Sequence, residues 1–464
     1  MKKKILLVAC LLLSTAVLKA ADENPEDALN ENELAQDENT PPLLEDDDGV
    51  LAAADHTGPT GAGFENVGER GPNDEDFVDP RVLRDFIESR GLIQCRQKEG
   101  SLTIAGDVRA RWIANGEMLN GEKQRGRGTE IEINRFKSEI SLYLDYVAPR
   151  SWVSTKLKFV NFDGIDGGSA TKVDMERAFI GYDIFEDGDT DFYIEIGRSN
   201  LDYLFESKVE FSSIFDGIHL FYTADWPCIG KYTIHGGPFI VDSFTNHYAW
   251  AVETFITKFM GTGWAFKYSI VDWFRKSPTS YFGNREDQFK NLLIENNPRY
   301  RFVVSQWLVG YEQKIDFLKC KTLFLYGAYL HNWAARGRPQ TDGRKLNNAW
   351  YVGFTLGKLC KACDWSLDIN YQYVQAQAVP EFDLNGIGHG NAANGLLSDA
   401  ILLNLLPGDV RLFTNFKGVE LSLLYAMTDS LSIRTKSQYS VPADGFIGGH
   451  FKYKAFEMAV IYAF

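Results

Sequence analysis

Beyond its first twenty residues the chain has no apolar run approaching the roughly 18 to 20 residues of a membrane-spanning helix, which excludes a helical membrane bundle. Histidine is scarce. His56, His219, His235, His247, His331, His389 and His450 are scattered, without the close spacing of a helix- or loop-borne metal site. No nucleophile stands at motif spacing from a base, so no catalytic constellation emerges and neither metal nor cofactor is implied. Gly386, Gly388 and Gly390 flank His389 but lack the preceding buried strand and following helix of a nucleotide cradle. Lys and Arg are absent from Ala21 to Glu69, and no basic patch with interleaved aromatics occurs elsewhere, which argues against nucleic acid as a partner.

What is present begins with an address. Lys2, Lys3 and Lys4 precede an apolar run from Ile5 to Leu18 that ends at Lys19 and Ala20, the pattern of a secretory signal peptide over residues 1–20. A lipoprotein signal ending at Cys10 is set aside because the apolar run continues past it. Residues 21–78 read as a disordered acidic segment, since its fifteen acids up to Glu69 carry the equivalent of the whole chain's net charge of −15. Residues 79–101 read as a short periplasmic helix and connector, with Asp79 as N-cap, Pro80 in the first turn, Val82, Leu83, Phe86 and Ile87 on one face, and Gly91 as the stop.

From residue 102 to 464 the dominant pattern has period two. Sixteen strands are expected, near 102–113, 132–146, 152–163, 173–184, 191–198, 214–223, 232–241, 248–258, 263–273, 299–316, 322–333, 348–357, 364–376, 414–426, 431–441 and 450–464. Trp365, Leu367, Ile369, Tyr371 and Tyr373 alternate with Ser366, Asp368, Asn370 and Gln372, so one face suits lipid and the other water. Connections after even-numbered strands are short, as at 147–151, 186–190, 260–263 and 427–430. Those after odd-numbered strands run long, as at 114–131, 274–298, 334–347 and 377–413. Such sorting is the asymmetry of an outer-membrane barrel, and the expected fold class is all-β, an antiparallel transmembrane β-barrel of about sixteen strands.

The same parity assigns a basic wall to the lumen: Arg109, Arg111, Arg135, Lys137, Lys156, Lys158, Arg177, Arg434 and Lys436 oppose the lipid stripe on strands that are contiguous once the last closes on the first. Lys452 and Lys454 break that parity unless they stand above the bilayer. Cys228, Cys320, Cys360 and Cys363 fall in short turns and Cys95 precedes the first strand, so all five are expected on the periplasmic side. Exported chains meet oxidising conditions, which makes these five disulfide candidates, with at least one left free or bonded to another envelope protein.

The final strand, KAFEMAVIYAF from Lys454 to Phe464, ends on an aromatic residue and resembles the signal read by the outer-membrane assembly machinery. ERAFIGYD (Glu176 to Asp183), the turn after it, and FYIEIGRSNLDYLF (Phe192 to Phe205) resemble carbohydrate-selective and phosphate-selective porins at the entry to the third external loop. The chain from about residue 100 is similar to sixteen-stranded porins, in particular the chlamydial porin-like outer-membrane proteins grouped with carbohydrate-selective porins. The resemblance implies a water-filled channel for small hydrophilic solutes, carbohydrates or dicarboxylates among them, with a phosphate- or anion-selective pore and a surface adhesin or structural envelope protein as alternatives. It also implies that the third loop folds inward, placing Asp202, Glu206 and Glu210 at a constriction, and that a homotrimer sits among outer-membrane lipid and lipopolysaccharide.

Overall fold

The computed structural model describes residues 93–97, 100–119, 121–123, 134–162, 171–187, 190–226, 229–242, 247–273, 302–315, 321–337, 341, 343–380, 383–387, 414–445 and 450–464. The expected signal peptide, acidic segment and Asp79 helix lie outside these residues, as do Cys228, Cys320 and His389.

In chain order the strands are β1 (Ile93–Gln97), β2 (Gly100–Leu119), β3 (Glu122–Lys123), β4 (Asn134–Val147), β5 (Ser151–Phe162), β6 (Thr171–Asp187), β7 (Thr190–Asn200), β8 (Ile214–Trp226) and β9 (Gly230–Asp242), followed by β10 (His247–Thr257), β11 (Trp264–Trp273), β12 (Phe302–Ile315), β13 (Lys321–Asn332), β14 (Asn348–Leu356), β15 (Trp365–Val374), β16 (Phe416–Ala426), β17 (Leu431–Val441) and β18 (Phe451–Ala463). One helical turn, α1 (Leu201–Leu204), follows β7. β2 and β4 to β18 pair antiparallel with their neighbours, and β18 pairs with β2 from Phe451↔Leu119 to Ala463↔Asp107. The result is a closed sixteen-stranded barrel, the form that leaves no unsatisfied strand edge in hydrocarbon.

Alternation drives the closure. On β15 every second side chain is buried, Ser366, Asp368, Asn370 and Gln372 pointing in. Outward positions are apolar and exposed, among them Val108, Trp112, Phe136, Ile140, Ile180, Val352 and Val460, as a lipid-facing surface requires. Lys452 and Lys454 lie on this outer face at the long-loop end of β18, opposite Met118 and Gly116.

Two features depart from the expectation. Residues 93–97 form a strand rather than a connector: β2 extends past the end of β18, and β1 covers that free edge with Ile93↔Ile104 through Gln97↔Gly100. The inner wall is also not polar all round. From β10 to β14 it carries Ala249, Ala251, Val271, Trp273, Phe302, Val304, Leu308, Ala328, Leu330 and Ala349, all buried. Leu201, Phe205, Val209 and Phe211 after β7, and Ala378, Val379, Leu384 and Ile387 after β15, pack onto it in one apolar cluster. Burial of these groups, at about 25 cal/mol per Å² of apolar surface, holds two inter-strand segments inside the barrel.

Candidate functional site in the lumen wall

From β15 through β18 to β2 and β4–β6 the inner wall is polar and charged, and the expected basic residues are brought together there. Arg109, Arg111, Lys137, Lys156, Arg177, Arg434 and Lys436 are buried on the inner face, with Arg135 and Lys158 half-buried beside them. The cations are interleaved with carboxylates that the parity argument did not single out. Arg109 Nε pairs with Asp107 at 2.6 Å, Lys137 and Arg111 share Glu139 at 2.8 and 3.6 Å, and Lys156 and Lys158 share Glu176 at 2.7 and 2.9 Å. Arg434 pairs with Glu457 at 2.5 Å and Lys436 with Glu420 at 3.5 Å. Two of these five carboxylates thus serve two cations each, and Asp145 and Asp368 add further acid to the same face.

A bulge sharpens this. On β5 and β6 the register runs Lys156↔Arg177 and then Leu157↔Met175, leaving Glu176 as the extra residue. Glu176 and Arg177 therefore both face inward, while Met175 and Ile180 remain on the lipid side. Simple alternation would have sent one of the two charges into hydrocarbon.

The segment 201–213 enters the lumen and is moored on several strands. Lys208 reaches Asp368 at 3.4 Å and lies over the Tyr326 ring, Gln306 donates to the Glu206 carbonyl at 2.7 Å, and Arg177 lies over the Tyr203 ring at 5.2 Å. The three acids expected at its constriction separate. Glu206 is half-exposed and pairs with Lys267 at 2.7 Å, on the side away from the basic wall. Asp202 lies in the first turn of α1, half-buried. Glu210 turns toward β11, where it is 1% exposed and accepts a hydrogen bond from Trp273 Nε1 at 3.4 Å.

Two histidines that look scattered along the chain meet across the β8–β9 ladder. His219 Nε2 and His235 Nδ1 are 3.0 Å apart, His235 Nε2 lies 3.2 Å from Glu253, and His219 Nδ1 lies 3.6 Å from Glu195. Phe205 stacks on His235 with ring centroids 5.2 Å apart, so this chain lies beneath the inward segment. Among the described residues no cluster of His, Cys, Asp or Glu could hold a metal ion. The signal was available only in the pairing: both residues lie on inward positions flanking one short turn.

Cys360 and Cys363 are exposed free thiols in the turn between β14 and β15. Cys95 lies on β1 opposite Leu102. No disulfide occurs among the described residues.

No protein-family model and no curated protein matches the chain. Solved structures similar to it include the high-pH structure of Pseudomonas putida OprB, at 11% identity over 78% of this chain and 94% of that one, with a TM-score of 0.46. Salmonella typhi OmpF in complex with daunomycin aligns at 9% identity over 80% of this chain and 100% of that one, with a TM-score of 0.42. Outer-membrane expressed OmpT of Vibrio cholerae aligns at 11% identity over 80% and 100%, with a TM-score of 0.39.

Proposed function

We propose that the chain is an outer-membrane channel for passive diffusion of small hydrophilic solutes, with its short-turn end in the periplasm. The observation that carries this reading is the contrast between an apolar outer face and an inner wall on which seven cations share five carboxylates. Cations set among carboxylates along a passage with low-dielectric walls draw anions and orient polar solutes. Dicarboxylates suit the spaced cations, and carbohydrates are the further solute class that the sequence resemblance implies. The same cluster of cations favours, as a second reading, a pore selective for phosphate or other anions. By analogy with the porins it resembles, the working assembly is a homotrimer.

Planar-bilayer recording tests the proposal. A reversal potential in a salt gradient should report anion preference, and replacing Arg109 and Arg111 with Ser should shift it toward cations. Candidate sugars and dicarboxylates added in turn should reduce the current of the wild-type channel. An unchanged reversal potential in the double variant would remove the basic wall from the account; absence of any conductance would remove the channel and leave a display scaffold.

A further inference from the structure

The two segments inside the lumen grip one another. Glu210 and Leu384 form an antiparallel bridge, and the Asn385 N–H donates to the Val209 carbonyl at 3.2 Å. The Asp383 side chain accepts from the backbone N–H groups of Phe211 and Ser213 at 3.0 Å each, and its carbonyl accepts from the Ser212 N–H at 3.4 Å. Phe205, Phe211, Leu384 and Ile387 seal this contact at 0% exposure. Two carboxyl groups, Glu210 and Asp383, are thereby buried at 1% and 0% exposure in an apolar setting.

We propose that the Glu210–Asp383 contact is a proton-held latch between the two lumenal segments, closed while the pair retains a proton and released as the pH rises. Among the described residues, burial and a neighbouring carboxylate dominate the surroundings of the pair. Asp202 on α1 adds a further carboxylate, Lys208 is turned to Asp368 on β15, Lys267 on β11 is turned to Glu206 and Glu253, and Asp272 alternates to the opposite face of β11 from Trp273. Burial, reinforced by Asp383, holds Glu210 well above the ordinary carboxylate range. Burial likewise lifts Asp383 to about 7, against the pull of the Phe211 and Ser213 N–H donors.

The direction of the switch follows from linkage. Released into lumen water, both carboxyls titrate near pH 4 (about 3.9 and 4.3); in the closed contact they hold protons to higher pH. Opening therefore releases protons. The latch is tightest below about pH 4, loosens upward through about 7 for Asp383, and continues to loosen above that for Glu210. Within the window each retained proton changes the opening equilibrium about tenfold per pH unit.

Hydrogen exchange on the full chain in detergent tests this without reference to conduction. Glu210→Gln keeps an acceptor for Trp273 and cannot ionise. Compared at equal pH, so that intrinsic exchange chemistry cancels, wild type and E210Q should protect residues 209–213 alike at about pH 4. At pH 9 the wild-type segment should exchange at least tenfold faster than in E210Q, and equal protection there would overturn the latch. If E210Q fails to fold, wild type alone decides. After correction for intrinsic rates, peptides covering 209–213 and 383–387 should lose protection together between pH 5 and 9 while β16 peptides do not, and no selective loss overturns the proposal.

Discussion

Gly106 and Phe464 exchange both backbone hydrogen bonds of one ladder rung, N–H to O at 2.9 Å in each direction, one step beyond the last paired residue of β18. The Phe464 ring lies across the glycine. A Cβ on Gly106 would sit 2.6 Å from Phe464 Cζ and 2.9 Å from the Ser141 carbonyl. Gly106→Val should therefore obstruct the closing seam. The expected result is a smaller fraction of chain showing the heat-modifiable mobility of a closed barrel on gels, with little effect from Gly116→Ala, whose Cβ would meet nothing nearer than 3.5 Å.

Glu139 is the shared partner of Lys137 and Arg111 and is itself buried. Glu139→Gln keeps the shape and removes the charge, leaving two cations facing each other across β2 and β4. Destabilisation of about 1–3 kcal/mol is expected, read as a lower urea midpoint in detergent. The same variant should raise anion preference in bilayers, the opposite sign to Arg109→Ser with Arg111→Ser.

Phe205 is fully buried between His235 and Phe211, with centroids 5.2 Å from each. Truncation to Ala removes a large aromatic group from the contact that keeps segment 201–213 against the wall, at a cost of about 3–5 kcal/mol. That cost should fall on the segment while the ladder hydrogen bonds persist. Unchanged β-sheet circular dichroism with increased proteolysis near residue 207 is the expected result.

The thiol-bearing turn is organised by Asp364, which accepts from the Cys360 and Lys361 N–H groups at 3.1 and 3.0 Å and from Lys321 Nζ at 2.8 Å. Burial works to raise its pKa, but Lys321 and the two amides outweigh it and hold the carboxyl below the usual range. A lowered value means that the turn's stabilisation is present above the ordinary carboxylate pKa and is lost as the pH falls through the lowered one. Exchange of the Lys361 amide, corrected for intrinsic rate, should accelerate below about pH 4 in wild type and be fast at all pH in Asp364→Ala. On the proposed orientation, an impermeant maleimide should label Cys360 and Cys363 in purified protein and neither in intact cells; labelling in cells would reverse the orientation.

The strand positions were legible because half-buried strands alternate: β4 and β15 show polar residues at every second position, and turns or long connections separate each strand from the next. The basic residues of β2, β4, β5 and β17 could be placed on one wall for the same reason. What parity alone could not show was the apolar inner wall of β10 to β14. Ala249, Val271, Leu308 and Leu330 face inward yet resemble lipid-facing residues, since the surface that buries them comes from segments distant in sequence. The direction of Glu210 was not legible for the same reason, because it is set by Trp273 on a distant strand rather than by the loop's own composition. Likewise, β1 owes its existence to the unequal lengths of β2 and β18, a property of the closed ring.

The bulge at Glu176 and a second register shift between Asp183 and Phe185 give β6 two positions where chain length is negotiable. Deleting Glu176 would leave Met175 outside, Arg177 inside and Ala178 outside, restoring regular alternation without disturbing either flank. The same one-residue loss at Phe179, between this bulge and the second register shift at Asp183/Phe185, would carry Ile180 and Tyr182 inward and Asp183 to the lipid face. Insertions and deletions should therefore be tolerated in β6 at these two irregularities and rejected between them, a pattern that a length-variant library scored for folded barrel would display directly.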